Sequence, residues 1–157
     1  MINEREAATN PDVNREVPDP LVGNPTRLFV YGSLRRGEYN HARVNTWVAG
    51  EKLTHIANGW IQGAALYNLG AYPAIKAASG SSRVIGEVYD VPRRLFSHIN
   101  SMEVGAGYES RPVQVVGHNN IADMGETPIE ALAYFYTGQV NPKTRIHSGD
   151  WSLRFRD

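Results

Sequence analysis

A chain of 157 residues has room for one domain with its own hydrophobic core. Its 16 basic and 16 acidic residues cancel, which removes the electrostatic case for nucleic acid or an anionic membrane surface as a partner. Cysteine is absent, so disulfides, thiolate nucleophiles and zinc–thiolate sites are excluded together, and a reducing, cytoplasmic location is the expectation.

Residues 1–26 differ from the rest. They hold Pro11, Pro18, Pro20 and Pro25, five acids and few large apolar side chains. Such a stretch buries too little to offset its ordering entropy, so a disordered leader is expected ahead of a domain spanning 27–157. The alternative is an arm docked on a partner subunit in a homodimer, anchored by Val17, Leu21 and Val22. No basic segment leads into an apolar one, so no secretory signal is expected. No apolar run approaches the roughly 20 residues of a spanning helix.

The domain opens with Leu28–Tyr31, a short apolar run stopped by Gly32, read as a buried strand and a turn. Glu38–Val48 has apolar residues at helical spacing and predicts a short helix. Gly59–Tyr67 predicts a strand bent at Gly63, and Tyr72–Lys76 a short strand entered through Pro73. Arg83–Val91 alternates and is β-branched, a further strand. Pro92 then sits where a helix begins, and Leu95, Phe96, Ile99 and Met102 recur at helical spacing, predicting an amphipathic helix over Pro92–Met102. Arg111–Val116 and Ile129–Tyr136 alternate as two more strands, joined by a polar loop over 117–127. The sum is an α+β domain whose curved sheet closes into a barrel.

Two stretches carry candidate chemistry. Tyr31-Gly32-Ser33-Leu34-Arg35-Arg36-Gly37 follows a strand. Its glycines allow close approach of a ligand to backbone, and successive N–H groups in a tight turn form a nest for a carboxylate or phosphate. It lacks the spacing and lysine of a P-loop, and by pattern alone a plain hairpin turn with a buried tyrosine is the favoured reading, since loops with two glycines are common. The second is Met102-Glu103-Val104-Gly105-Ala106-Gly107-Tyr108. Glu103 ends a helix, where the helix dipole disfavours a carboxylate. Partial burial there would raise its pKa toward neutrality, the condition for acid/base work. A solvated surface glutamate is the alternative. His41, His55, His98, His118 and His147 show no metal-ligand spacing, and no Gly-x-Ser-x-Gly elbow occurs. Neither metal nor cofactor is expected.

Taken in order, these stretches resemble the γ-glutamyl cyclotransferase-like (AIG2-like) family. The likeness runs from Arg27 to Trp151. It rests on Phe29-Val30-Tyr31-Gly32-Ser33-Leu34-Arg35-Arg36-Gly37, then Ala65-Leu66-Tyr67 with Gly70-Ala71-Tyr72-Pro73-Ala74. Val84-Ile85-Gly86-Glu87-Val88-Tyr89, the helix ending in Glu103, Tyr108 with Arg111, Ala133-Tyr134-Phe135-Tyr136 and Ser148-Gly149-Asp150-Trp151 complete it. The resemblance implies a small mixed β-barrel with flanking helices. It implies that Glu103 is the catalytic acid/base and that the Tyr31, Gly32, Ser33 and Leu34 turn binds the substrate's α-carboxylate. Tyr108, Tyr136 and Arg111 are implied as further substrate-binding residues, with Arg35 and Arg36 near the mouth. The implied substrate is a small γ-glutamyl molecule, whose α-amine attacks its own γ-carbonyl to give 5-oxoproline and a free amine. The chain departs from many relatives at Ile99-Asn100, where Leu-Asp is common, and at Val104, where glycine is. Two readings compete: a non-catalytic protein binding a small carboxylate in the same pocket, and an assembly protein docking through its leader.

Overall fold

The structure, a computed structural model, describes residues 3–4, 6–7, 25–117 and 128–156. The expected leader therefore lies mostly outside the described residues, apart from two paired dipeptide strands, Asn3–Glu4 and Glu6–Ala7. The polar loop of 117–127 also lies outside them beyond Gly117.

Strand β1, Thr26–Val30, enters the core at Leu28. It is followed by β2 (Thr54–Gln62), β3 (Ala64–Asn68), β4 (Pro73–Ala77) and β5 (Arg83–Val91). Helix α1 covers Arg93–Gly105, then come β6 (Tyr108–Gly117), β7 (Ile129–Tyr136) and the short β8 (Arg145–Ile146). Five strands close a barrel in the order β7-β1-β5-β2-β6. The β7–β1 pair is parallel and the others are antiparallel, so the barrel is mixed. A separate three-stranded sheet, β8-β3-β4, packs beside it.

The period of two sorts the strand residues onto two buried faces. Phe29, Ala57, Ile61, Val88, Val115 and Phe135 come from all five strands and fill the barrel interior. Leu28, Val30, Tyr89, Val91, Tyr108 and Tyr134 face outward and pack under α1 through Leu95 and Ile99. Burial of each such aliphatic side chain is worth about 1.5–3 kcal/mol.

The predicted strand at Arg83–Val91 and the one at Ile129–Tyr136 match the observed ranges. Gly63 divides the predicted bent strand into β2 and β3, and β2 starts earlier, at Thr54. The predicted helix over Glu38–Val48 is reduced to a single 3-10 turn at Arg43–Thr46. Among the described residues α1 is the one α-helix; the other helical pieces are 3-10 turns. Pro92 is its N-cap, as its fixed φ allows, and the Glu51 carboxylate accepts the Leu95 N–H at 2.8 Å, occupying the positive end of the helix. The helix runs three residues beyond the predicted end. It stops at Gly107, whose φ of +97° is a left-handed terminator suited to glycine. No described helix is long and apolar enough to cross a membrane.

Candidate active site

The extra turn of α1 places Glu103. Leu95 and Ile99 form the buried stripe of the helix, and Glu103 lies one further step of four along it, on the same face. The carboxylate therefore points at the barrel rather than at solvent. It lines a cavity of about 600 Å³ bounded by α1, the end of β1, the turn after it and the tyrosines of β6 and β7. Glu103 is part-buried, and loss of hydration raises its pKa from the ordinary 4.5 to about 7.

The Tyr31–Leu34 turn lines the same cavity. Its own hydrogen bonds use carbonyls: Gly32 O accepts Arg35 N at 2.9 Å and Ser33 O accepts Asn40 N at 2.9 Å. The N–H groups of Gly32, Ser33 and Leu34 take no part in these bonds. Ser33 Oγ is held by the Asn40 side-chain amide at 3.1 Å. Gly32 is dictated by packing: a Cβ there would fall inside the van der Waals radius of the Pro73 ring.

Three tyrosines complete the wall. Tyr31 OH donates to Tyr134 O at 2.6 Å, Tyr108 OH to Pro73 O at 2.6 Å, and Tyr134 OH to Asn100 Oδ1 at 2.7 Å. Burial is the main cause that raises all three pKa values, Tyr108 to about 12, and the Glu103 charge adds to each. These hydroxyls stay protonated at neutral pH. Because Tyr108 and Tyr134 spend their protons on the protein, lone pairs are what they retain for a ligand. The cavity thus joins a carboxylate and tyrosine acceptors to a turn whose amides make none of these bonds.

Of the residues singled out in the sequence, Glu103, Tyr31, Gly32, Ser33, Leu34, Tyr108 and Tyr136 meet at this cavity. Tyr136 stacks on Tyr108 with ring centroids 5.2 Å apart. Arg111 is not brought there. It lies three residues beyond Tyr108 on a strand, hence on the opposite face, where it pairs with Glu109 at 2.8 Å in solvent and covers Phe135. Arg35 does not act at the mouth as a free cation, while the Arg36 residue is exposed and is tied down through its backbone. Arg35 is bonded between Glu87 at 3.0 Å and Asp150 at 2.8 Å, and the Arg36 N–H donates to Glu87 at 2.9 Å. This network ties the end of the turn to β5 and to the C-terminal segment. Tyr134, Asn40 and Leu69 line the cavity without having been singled out. For Tyr134 the signal was present: it shares strand parity with Tyr136.

Fold and cavity together define a small mixed barrel whose outer face, helix and first turn enclose one acid-bearing pocket. The sequence profile described as "Gamma-glutamyl cyclotransferase, AIG2-like" matches residues 28–153, so the chain belongs to that family. It is 31% identical over 126 residues to the gamma-glutamylcyclotransferase family protein YtfP of Escherichia coli K12, covering 80% of this chain and 95% of that one. The crystal structure of an uncharacterised protein from Pyrococcus horikoshii superposes with a TM-score of 0.58 at 28% identity, covering 83% of this chain and 94% of its own. An AIG2-like protein from Mus musculus superposes with a TM-score of 0.66 over 82% of this chain and 88% of its own; at 19% identity that likeness speaks for the fold.

Proposed function

We propose that the protein is a γ-glutamyl cyclotransferase that releases 5-oxoproline and a free amine from a γ-glutamyl compound. The observation that carries this reading is a carboxylate with a pKa near 7 sharing one cavity with the Tyr31–Leu34 amides. A γ-glutamyl head is a zwitterion. Its α-carboxylate suits the Gly32, Ser33 and Leu34 N–H groups, and its α-ammonium suits Glu103 and the lone pairs of Tyr108 and Tyr134.

Bound in this way the head curls, which brings the α-nitrogen to its own γ-carbonyl carbon and removes the need for an enzyme nucleophile. Glu103 as carboxylate takes a proton from the α-ammonium. The freed amine attacks, the new C–N bond closes a five-membered ring, and negative charge develops on the γ-oxygen. Collapse of this intermediate breaks the bond to the departing nitrogen, which takes the proton from Glu103. The ring nitrogen's second proton passes to solvent and the departing amine takes one in return, so the protons balance. A group with pKa near 7 is present in both forms at neutral pH, as this shuttle requires. We place the protein in the cytoplasm, in keeping with its lack of cysteine.

The test is to offer a panel of γ-glutamyl amino acids and amines to the protein and to Glu103→Gln, and to measure 5-oxoproline. Turnover that falls about 10²–10⁴-fold in the variant supports the mechanism. Turnover that survives the substitution refutes it, and binding without turnover by the unaltered protein favours a carboxylate-binding role.

A further inference from the structure

A second cavity, of about 610 Å³, lies on the other side of the β3–β4 turn. Leu69 lines both cavities. Its neighbours Tyr72 and Pro73 face the Glu103 cavity, whereas Asn68 and Gly70 face the second one. The described lining of this second cavity contains Lys143, Arg145 and Arg154 and no acidic side chain.

The three cations differ in how far the protein satisfies them. Arg154 donates to Trp151 O at 2.8 Å and lies 3.5 Å from the Glu38 carboxylate. Lys143 is exposed, and no described carboxylate lies within ion-pair distance of it or of Arg145. Arg145 is part-buried, its Nη2 donates to a hydroxyl, Ser82 Oγ, at 3.0 Å, and its Nε is buried with no acceptor. A part-buried guanidinium is ordinarily held by a carboxylate, because desolvation of its charge must be offset. Arg35 shows that pattern in this same molecule, between Glu87 and Asp150. Arg145 and Lys143 show the reverse: positive charge concentrated in a concave surface with no carboxylate of the described residues set against it.

We propose that this basic cavity is a subsite for an oxyanion, a carboxylate or a phosphate monoester, carried by the amine half of the substrate. The proposal rests on the cyclotransferase reading for its connection to catalysis. The amine half leaves the Glu103 cavity, and Leu69 is the wall it shares with the basic one. Arg145 and Lys143 then select the departing amine by charge, while the Tyr31–Leu34 turn and Glu103 select the γ-glutamyl head.

The experiment uses the full chain and γ-glutamyl derivatives of aminohexanol, aminohexanol phosphate and aminohexanoate, which differ at the distal group. The charged compounds are expected to have kcat/KM at least about tenfold above the neutral one, the scale of one charge-assisted hydrogen bond. That advantage disappears in Lys143→Gln and Arg145→Gln and shrinks with added salt. The better of the two charged compounds assigns the anion. Equal kcat/KM for charged and neutral compounds overturns the proposal. Lys143 is exposed, so its variant keeps the test valid should Arg145→Gln fail to fold. A second readout needs no turnover: calorimetric binding of free aminohexanol phosphate to Glu103→Gln. Binding that weakens about tenfold when Lys143→Gln is added supports the site. No binding, or binding that Lys143→Gln leaves unchanged, overturns it. Binding of this kind with no turnover of any γ-glutamyl compound leaves the anion site standing and overturns the cyclotransferase reading instead.

Discussion

Glu103→Gln is expected to make the protein more stable above neutral pH and to leave its stability unchanged in mild acid. The carboxyl titrates near 4.5 in an unfolded chain and near 7 in the fold. Below pH 4.5 both states hold the proton and the group favours neither. Between the two values the fold keeps a proton that the unfolded chain has released, and stability falls as pH rises. Above 7 both states are ionised, and the fold bears the full penalty of a part-buried carboxylate. That penalty is at most about 3 kcal/mol at 1.36 kcal/mol per pKa unit, reduced by water that reaches the open cavity. A glutamine is neutral throughout. Urea unfolding of both proteins from pH 4 to 8.5 reads the difference directly. The two curves are expected to meet near pH 4.5 and to diverge by about 2–3 kcal/mol at pH 8, with the variant the more stable. A pH-independent difference, or a less stable variant at pH 8, would refute the claim that Glu103 is held in a place where its charge is disfavoured.

The same group sets the pH dependence of turnover. As the base for the α-ammonium it must be ionised in the free enzyme, so kcat/KM is expected to rise with pH and level off through an apparent pKa near 7; an acidic limb centred near 4.5 would contradict this. Glu87→Gln leaves the Arg35 guanidinium, whose side chain is 15% exposed, without its innermost carboxylate. The expected loss is about 3–5 kcal/mol in chemical unfolding, against less than about 0.5 kcal/mol for the exposed Arg111→Ala. Gly32→Ala drives a methyl into the Pro73 ring. It is expected to cost about 1–3 kcal/mol and, on the proposed role of the turn in holding the substrate carboxylate, to raise KM more than it lowers kcat.

Local pattern carried much of the architecture. Alternation marked Arg83–Val91 and Ile129–Tyr136 because both strands are hydrogen-bonded on each side and must sort their residues between two packed faces. Spacing marked α1, and Pro92 its start. The segment Glu38–Val48 forms only one 3-10 turn: its Glu38 and Asn40 amides donate to Arg35 O and Ser33 O and the His41 ring nitrogen lies against Leu34 O, contacts that fold it back on the preceding turn and that helical spacing does not encode. Period two could have removed Arg111 from the site and added Tyr134, since residues three apart on a strand face opposite ways. Which face became the cavity was not legible, because both faces of β7 are buried.

Glu103 shows the division most clearly. The sequence by itself determined that an acid stands four residues beyond Ile99 on the apolar stripe of a helix, and the resemblance carried by the order of motifs implied an acid/base role for it. Tertiary structure alone decided that α1 lies against β1 and β7, so that this stripe ends over the Tyr31–Leu34 turn and the carboxylate loses water. The pairing of Arg35 with Glu87 and Asp150, residues distant along the chain, was decided there as well. So was the absence of such a pairing for Arg145 among the described residues. Sequence spacing specifies which groups share a face. Desolvation and charge compensation depend on what is packed against that face, and long-range closure of the barrel sets that.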